Sequence, residues 1–373
     1  MRVLSVFGTR PEAIKMAPVL RELHRCNAES LICVTAQHRE MLDSVLQFFG
    51  IVPDVDLNLM QHGRSLSSLT ARILEAVDSV LDEIRPDIVL VQGDTTTAMA
   101  AALAAFYRRI SVGHIEAGLR SRDLLAPFPE EMNRIVIDVI SRHHFAPTQS
   151  AAETIRQEIP TAESIHVTGN TAIDALLIAI ERLNHDHSLR QRIDQSLNIG
   201  GSDRRLILVT GHRRESFGKG FEEICLALKK VAERPDVEIV YPVHLNPNVR
   251  GPVHKLLGKV SNVHLLEPVN YPTFVRLMQR AHLILTDSGG VQEEAPTLNK
   301  PVLVMRSRTE RQEGVAAGAA ELVGTDHAVI VRRTHALLDN VELWNRMAAA
   351  PNPYGDGHAA ERICGVVLTG KPC

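Results

Sequence analysis

The segment from Ile284 to Pro296 reads Ile-Leu-Thr-Asp-Ser-Gly-Gly-Val-Gln-Glu-Glu-Ala-Pro. An apolar strand runs into Asp-Ser-Gly-Gly, and a helix-forming stretch follows at once. Paired glycines let the backbone approach a ligand closely, and a helix start offers unpaired N–H groups that suit phosphate. Glu294, about one turn into the predicted helix, is placed to accept hydrogen bonds from sugar hydroxyls. The segment therefore indicates either a nucleotide-sugar site or a plain strand-to-helix turn capped by Ser288.

Short apolar runs alternate with longer helical stretches along the rest of the chain. The predicted strands are Val3–Phe7, Leu31–Thr35, Ile88–Gln92, Val112–Ile115, His144–Ala146, Ile165–Thr168, Leu206–Thr210, Glu238–Tyr241, Val263–Leu266, Leu283–Thr286 and Pro301–Met305. The predicted helices include Glu12–His24, Leu66–Ile84, Thr171–Leu183, Phe221–Ala232 and about His358–Leu368. This alternation predicts an α/β fold with parallel sheets covered on both faces. Continuous apolar runs are typical of such buried strands.

The length of 373 residues favours about two domains. A polar, Gly-rich stretch at 198–205 precedes the strong strand that starts at Leu206, and a turn cluster at 351–357 precedes the last helix. We therefore expect two doubly wound Rossmann-like domains, with a cleft between the carboxyl ends of their sheets where ligands bind in such folds.

Composition narrows the class of protein. Net charge is −3, which argues against a general nucleic-acid surface or an anionic-membrane surface. The five cysteines are scattered and form no Cys-x-x-Cys, which favours a reducing compartment. The first residues resemble a strand rather than a signal peptide, and the most apolar run, Ala98 to Tyr107, is too short to span a bilayer. We expect a cytoplasmic protein without a membrane or nucleic-acid partner.

Several common site motifs do not occur in the sequence. No His or Cys set has metal-binding spacing. No Gly-x-Gly-x-x-Gly follows a strand, no Gly-x-x-x-x-Gly-Lys-Ser/Thr occurs, and no Gly-x-Ser-x-Gly elbow appears. We therefore expect neither a metal nor a nicotinamide cofactor.

Polar residues follow the predicted strands of the first half. Arg10 and Lys15 follow the first strand, and indicate either a phosphate clamp or ordinary surface cations. Asp94 follows the third strand and either faces the ligand or caps the next helix. Glu116 follows the fourth strand directly. Glu130 lies in the first turn of a later helix, where the helix dipole alone also favours an acid.

The second half supplies cations at its strand ends. His212 and Arg213 follow the strand that starts the second domain, and a phosphate-facing imidazole is expected to gain charge. His244 follows a later strand, where an interior histidine with satisfied hydrogen bonds is expected more than one that lines the ligand cleft. The run from Arg306 to Arg311 adds further cations. Acids in one half and cations in the other suit a nucleotide sugar whose diphosphate is a leaving group.

Five motifs in this order identify a family. They are Phe-Gly-Thr-Arg-Pro-Glu at 7–12, Gln-Gly-Asp-Thr-Thr-Thr at 92–97, Gly-His-Ile-Glu-Ala-Gly-Leu-Arg at 113–120, Gly-His-Arg-Arg-Glu-Ser at 211–216 and the segment from Thr286 to Pro296. Together they closely resemble the non-hydrolysing UDP-N-acetylglucosamine 2-epimerases of bacteria, and the match runs from Val3 through Gly357.

The resemblance implies a fold of the GT-B type. It implies an N-terminal domain over 1–168, a UDP-binding domain over 169–352, and a C-terminal helical segment over 353–373 that packs back on the first domain. It also implies a homodimer, and interconversion of UDP-GlcNAc and UDP-ManNAc, used in polysaccharide biosynthesis, without a cofactor. In the family mechanism UDP is eliminated to leave 2-acetamidoglucal and is added back with inversion at C2.

The resemblance also assigns roles to residues in the matching motifs. The implied catalytic residues are Asp94, Glu116, Glu130 and His212. The implied substrate-binding residues are Arg10, Lys15, Phe274, Ser288, Gly289, Gly290, Glu294 and Arg311. A possible allosteric site for UDP-GlcNAc would include Gln37, His38, Arg213 and His244. The segment 267–274 departs from the commoner Pro-Leu-x-Tyr pattern, which puts base contacts by Phe274 in question.

Three alternatives share the same UDP-sugar site. A GT-B glycosyltransferase would need an acceptor site and would leave C2 unchanged. A hydrolysing epimerase would release UDP and free ManNAc. A non-catalytic sensor would keep the loop at 288–290 but would not need three carboxylates.

Overall fold

The computed structural model describes residues 1–35, 39–59, 65–197, 199 and 203–370. The predicted allosteric residues Gln37 and His38 lie outside the described residues. The chain divides into two compact units: Met1–Leu177 together with Tyr354–Cys373, and Ile178–Pro353. The first division falls at Leu177, inside a helix, whereas the resemblance implied a boundary at 168.

The first unit contains a seven-stranded parallel sheet. Its strands are β1 (Arg2–Phe7), β2 (Glu29–Val34), β3 (Val55–Asp56), β4 (Ile88–Gln92), β5 (Ser111–Ile115), β6 (His143–Ala146) and β7 (Ser164–Val167). Its first helices are α1 (Arg10–Arg25), α2 (Arg39–Phe49), α3 (Leu66–Ile84), α4 (Thr96–Tyr107), α5 (Glu130–Ile140) and α6 (Gln149–Glu158). The strand order is β3-β2-β1-β4-β5-β6-β7. Every residue of β4 is buried, as its continuous apolar sequence predicts.

The second unit contains a six-stranded parallel sheet in the order β10-β9-β8-β11-β12-β13. Its strands are β8 (Arg205–Thr210), β9 (Val237–Pro242), β10 (Val263–Leu266), β11 (Leu283–Thr286), β12 (Val302–Val304) and β13 (Ala320–Leu322). Helix α7 (Thr171–His185) starts in the first unit and ends in the second. The later helices are α8 (His187–Leu197), α9 (Lys219–Val231), α10 (Pro247–Leu257), α11 (Tyr271–Arg280), α12 (Gly289–Glu294), α13 (Gln312–Ala316), α14 (His327–Asp339), α15 (Val341–Ala348) and α16 (Ala359–Thr369).

Helix α16 belongs to the first unit, where it packs against α1. The Cys364 Sγ lies 3.7 Å from the carbonyl oxygen of Val19. At its start, Asp174 from α7 accepts a hydrogen bond of 2.8 Å from the N–H of Ala360. Asp174 therefore caps α16 from another helix, because His358 makes no side-chain cap.

At the centre of each parallel sheet, the direction in which successive strands are added reverses. In the first unit this point lies between β1 and β4, and in the second between β8 and β11. Doubly wound sheets bind ligands outside the carboxyl ends of the strands at such a point. The turns after these four strands are thus the parts of each unit best placed to bind a ligand.

The predicted α/β class with two doubly wound parallel sheets is confirmed. Two strands were missed, β3 with two residues and β13 with three, because each is short and contains an acidic residue instead of a continuous apolar run. In the described parts of the chain, none of the helices combines the length and apolar character needed to cross a membrane.

Candidate active site

Glu116 is held at the end of β5 by two donors. Its Oε2 accepts a hydrogen bond of 2.7 Å from Gln92 Nε2 and forms an ion pair with Lys15 Nζ. The side chains of Lys15 and Glu116 are 17% and 10% exposed. Glu116 has φ +70°, a left-handed conformation that costs a residue with a Cβ about 1–2 kcal/mol. Lys15 is therefore a partner of Glu116 rather than an isolated surface cation.

Asp94 lies in the turn after β4 and does not cap the following helix. That cap is Thr95, whose Oγ1 accepts a hydrogen bond of 3.0 Å from the N–H of Ala98. The Asp94 carboxylate instead pairs with Arg134 of α5, and its side chain is 30% exposed. The capping interpretation of Asp94 is thus wrong, and its carboxylate is left to face solvent beside a cation.

Two adjacent glutamates at the start of α5 have different surroundings. Glu131 is fully buried and accepts hydrogen bonds from the backbone N–H groups of Ser121 (2.9 Å) and Arg122 (2.8 Å). It therefore holds the loop that precedes α5. Glu130 is half-buried, and its Oε2 is buried without a hydrogen-bond partner among the described residues. Of these two glutamates, Glu130 is therefore the one whose carboxylate has an oxygen without a hydrogen bond in the described residues.

Sequence reasoning did not identify His114, which supports both strand-end acids. This fully buried ring in β5 contacts Asp138 Oδ1 through Nδ1 (2.6 Å) and the carbonyl oxygen of Gly93 through Nε2 (2.7 Å). Asp138 Oδ2 also accepts bonds from Gly118 N–H (3.2 Å) and Arg120 Nη1 (2.8 Å). Burial raises the pKa of Asp138, but His114 and Arg120 outweigh it and hold that pKa below its ordinary value. The network thus fixes the backbone just before Asp94 and just after Glu116.

Arg10 is the first residue of α1 and is half-buried. Thr9 caps this helix, and Pro11 occupies its first turn, as the sequence predicts. Arg10 therefore lies at the carboxyl end of β1, next to the reversal point of the first sheet.

Asp287 joins the two innermost turns of the second unit. It is fully buried, and its Oδ2 accepts hydrogen bonds from the N–H groups of His212 (2.7 Å) and Arg213 (2.8 Å). Its Oδ1 lies 3.4 Å from His212 Nδ1. The sequence contained Asp287 in its most informative motif but gave no sign of this role, because the partners lie 75 and 74 residues away.

The rings of His212 and His244 stack, with centroids 5.5 Å apart and planes inclined by 21°. Burial lowers the pKa of His212, and the nearby Arg213 and His244 lower it further, although Asp287 opposes them. The expectation of an interior His244 is wrong, since the residue is exposed and its Nδ1 accepts a 3.1 Å bond from Asn246 N–H. Arg213 Nε is buried and has no hydrogen-bond partner in the described chain.

The glycine turn after β11 leads into α12. Ser288 occupies the cap position, but its side chain makes no capping bond, so the plain-cap interpretation is wrong. A Cβ added to Gly289 would lie 3.1 Å from the guanidinium carbon of Arg311, whereas one added to Gly290 meets no described atom within 4 Å. Arg311 Nε donates a bond of 2.8 Å to Glu293 Oε1. A guanidinium therefore lies over the turn, and Gly290 leaves open space beside it.

Glu294 and Phe274 lie on neighbouring elements of the second unit. Glu294 is 8% exposed, and the Tyr271 hydroxyl lies 3.5 Å from its Oε1. Burial raises the pKa of Tyr271 well above its ordinary value, and Glu294 adds to the effect, so the phenol stays protonated. Phe274 is half-buried on α11.

The guanidinium of Arg306 is buried and bonded to two glutamates of its own unit. Its Nε donates to Glu215 Oε1 (2.6 Å) and its Nη1 to Glu310 Oε2 (2.9 Å), and its side chain is 5% exposed. Burial raises the pKa of Glu310, but Arg306 outweighs it and lowers that pKa to about 2. These pairs tie the loop after β8 to the loop after β12.

Known proteins resemble the chain over nearly its whole length. The family model described as UDP-N-acetylglucosamine 2-epimerase matches residues 21–368. The UDP-N-acetylglucosamine 2-epimerase of Escherichia coli (strain K12) is 54% identical over 365 residues, which is 97% of each chain. That of Neisseria meningitidis (serogroup A) is 48% identical over 373 residues, the full length of both.

Solved structures of the same family resemble the chain in fold. The crystal structure of UDP-GlcNAc 2-epimerase from Neisseria meningitidis bound to UDP-GlcNAc has a TM-score of 0.92 and 49% identity, covering 99% of this chain and 100% of that one. The Methanocaldococcus jannaschii enzyme in complex with UDP-GlcNAc and UDP has a TM-score of 0.83 and 33% identity, covering 98% and 99%. The chain belongs to the UDP-N-acetylglucosamine 2-epimerase family, as its strand-end motifs predicted.

Proposed function

We propose that this protein interconverts UDP-GlcNAc and UDP-ManNAc by eliminating UDP and adding it back with inversion at C2. The observation that carries the proposal is that carboxylates lie at the strand ends of one unit and phosphate-binding groups at the strand ends of the other. The strand ends of the first unit present Asp94 and Glu116, with Glu130 at the start of α5. Those of the second unit present His212 and a glycine turn under Arg311. Acids and phosphate-binding groups are both needed for this reaction.

In the proposal, the second unit binds the UDP moiety. The backbone at Ser288, Gly289 and Gly290 and the guanidinium of Arg311 donate to the diphosphate, and Glu294 accepts from a hydroxyl. Phe274 lies against the uracil ring. The relatives from Neisseria meningitidis and Methanocaldococcus jannaschii were crystallised with UDP-GlcNAc, which supports a UDP-sugar ligand for this chain as well.

The first chemical step breaks two bonds. A carboxylate of the first unit takes the proton from C2, and the electron pair of the C2–H bond forms the C1=C2 double bond. The C1–O bond breaks at the same time, and its electron pair leaves with the diphosphate oxygen. Because the C2 proton is weakly acidic, coupling its removal to departure of UDP avoids a free carbanion.

The second step reverses these changes on the other face of C2. A protonated acid delivers a proton to C2 of the glucal, and the diphosphate oxygen attacks C1. The products balance the reactants without an oxidant or reductant. Inversion needs proton-handling groups on two faces of C2, and Asp94, Glu116 and Glu130 provide more than one such group.

His212 is proposed to assist departure of UDP. Burial of the ring lowers its pKa. A diphosphate beside the ring favours the imidazolium and raises that pKa. The charged ring then stabilises the negative charge that develops on the leaving oxygen.

The resemblance also supports two further proposals. The protein is proposed to be a homodimer, and its product to serve polysaccharide synthesis. Sedimentation equilibrium of the purified chain tests the first, since a monomer mass would contradict it.

The test of C1–O cleavage is positional isotope exchange. UDP-GlcNAc in which the oxygen that bridges C1 and the β-phosphorus is ¹⁸O is incubated with the enzyme. Elimination releases that oxygen into a rotating phosphate, so we expect the label to appear in non-bridging positions of recovered UDP-sugar. Epimerisation with the label retained in the bridge would contradict the proposal, and accumulation of UDP with free ManNAc would indicate the hydrolysing form.

A further inference from the structure

Glu12 of α1 is a buried carboxylate that takes no part in the reaction steps proposed above. It is 1% exposed. Its Oε2 accepts hydrogen bonds from the N–H groups of Gly8 (3.1 Å) and Thr9 (2.7 Å), and its Oε1 accepts one of 2.6 Å from the hydroxyl of Thr95. A carboxylate removed from water this completely is costly unless it is well bonded, and here three donors satisfy it.

Part of this arrangement is a capping box for α1. Thr9 accepts from the N–H of Glu12, and Glu12 accepts from the N–H of Thr9. A capping box requires nothing from Thr95, which lies 83 residues further along the chain. The third hydrogen bond is thus additional to the capping box: it satisfies Oε1 with a donor from a distant turn.

Thr95 has two partners of its own. Its Oγ1 accepts from the N–H of Ala98 at the start of α4 and donates to Glu12. The Glu12 carboxylate consequently connects the starts of α1 and α4, which follow the two innermost strands of the first sheet, β1 and β4. This connection spans the point where the strand order of the first sheet reverses.

Two site residues flank the connection. Arg10 directly follows Thr9, and Asp94 directly precedes Thr95. The backbone of Asp94 is also held by α5, because its carbonyl oxygen accepts a 2.9 Å hydrogen bond from Asn133 Nδ2. Because Asp94 and Thr95 are adjacent in the chain, a displacement of the Thr95 turn would shift the backbone of Asp94 relative to Arg10, against the hold of Asn133 and Arg134.

We propose that Glu12 is a positioning residue that sets the distance between Arg10 and Asp94 by tying the turn after β1 to Thr95. This inference rests on the proposed epimerase function, because it assumes that Asp94 acts on the substrate. Burial raises the pKa of Glu12, and the hydrogen bonds from Thr95, Thr9 and Gly8 oppose the effect.

The side chain's length and its acceptors are both tested by substitution. Glu12→Asp is one methylene too short to reach Gly8, Thr9 and Thr95 together, so we expect kcat to fall about 10- to 100-fold, with KM changed less than about threefold. Glu12→Gln keeps an oxygen for the two N–H groups and offers an N–H to Thr95 Oγ1. We therefore expect it to retain at least about a third of wild-type kcat.

Thr95 gives a second, independent pair. Thr95→Ser keeps the hydroxyl, and we expect nearly wild-type kcat, whereas Thr95→Val keeps the shape without the hydroxyl and should lower kcat about as much as Glu12→Asp. The double variant Glu12→Asp/Thr95→Val should be no slower than the slower single variant, because both changes break the Glu12–Thr95 bond and only Thr95→Val also removes the α4 cap. The Thr95 pair tests the inference even if Glu12→Asp does not fold.

Ser65→Ala is the control for stability, because it removes an exposed helix cap in the same unit, where Ser65 Oγ accepts from Ser68 N–H. It should lower Tm but leave kcat unchanged when all variants are assayed well below their Tm. Loss of kcat in Ser65→Ala, or unchanged kcat in Glu12→Asp and Thr95→Val, would overturn the positioning role. So would additive losses in the double variant. A wild-type chain that does not epimerise UDP-GlcNAc would instead overturn the proposed function.

Discussion

Lys15 of α1 and Glu116 at the end of β5 form a largely buried ion pair, although they lie 101 residues apart in the sequence. Gln92 donates to the same carboxylate oxygen. A carboxylate held by a cation and an amide keeps a fixed orientation, and the positive backbone φ at Glu116 directs the residue away from the strand. The pairing therefore supports Glu116 as an oriented proton acceptor rather than a surface charge.

Glu116→Gln and Asp94→Asn should separate chemistry from binding. Each replacement keeps the size of the side chain but removes its ability to accept a proton, so we expect kcat to fall about 10²- to 10³-fold. UDP is proposed to bind to the second unit, so its Kd should change less than about threefold. Steady-state kinetics and calorimetric titration with UDP check this. If the loss of activity simply followed weaker UDP binding, the proton-transfer roles would have to be withdrawn.

Binding of UDP should take up a proton at His212. The free ring has a pKa below 6.5, mainly because of burial, and a bound diphosphate raises it. The bound state therefore holds more protons, and affinity should increase as pH falls through the window between the raised and the lowered pKa. Calorimetry in buffers of different ionisation enthalpy measures this uptake.

His212→Asn provides the reference, because the terminal phosphate of UDP also titrates near pH 6. The wild type should take up more protons than this variant at the same pH. Equal uptake by both proteins would show that the imidazole does not gain charge on binding.

The two glycines after Ser288 form a matched pair. A Cβ at Gly290 meets no described protein atom within 4 Å, so Gly290→Ala should leave Tm within about 1 °C of wild type. If diphosphate approaches this backbone, the same methyl group should weaken UDP binding about tenfold or more. Gly289→Ala places its methyl group against the Arg311 guanidinium and should lower both Tm and UDP affinity. Unchanged UDP affinity in Gly290→Ala would exclude close approach of the ligand at that position.

Asp174 should make the fold less stable as pH rises. Burial raises its pKa to about 6, while the N–H groups at the start of α16 oppose the effect. Because this value lies above the unfolded value of 3.8, the cost of ionisation is absent below pH 3.8 and reaches its full size above pH 6. The difference in unfolding free energy between Asp174→Asn and wild type should therefore shift in favour of the variant by up to about 3 kcal/mol from pH 4 to pH 8. Denaturant unfolding at several pH values measures it, and a constant difference would refute the assignment.

The sequence predicted the fold because local patterns determine it. Continuous apolar strands, helices that begin with caps, and glycines in tight turns are all visible in a single chain. Gly118, for example, belongs to the motif at 113–120, and a Cβ there would lie 2.2 Å from the carbonyl oxygen of Ala151. The positions of Asp94 and Glu116 at strand ends follow from the same patterns.

The partners of these residues could not be predicted in the same way. The bonds of Asp287 to the turn after β8, of His114 to Asp138, and of Glu12 to Thr95 each join segments distant in the sequence. Only tertiary packing brings them together, and a buried acid within a turn motif has no distinctive local signal. His244 was misjudged for a related reason, since a histidine after an apolar strand gives no indication of its exposure.

The central claim is that the C2 proton is lost to the enzyme and replaced from solvent during each epimerisation. UDP-GlcNAc is incubated with the purified protein in D₂O without added cofactor, and the sugar products are analysed by proton NMR and mass spectrometry. The account predicts UDP-ManNAc with deuterium at C2. UDP-ManNAc that keeps the original proton at C2 would contradict it.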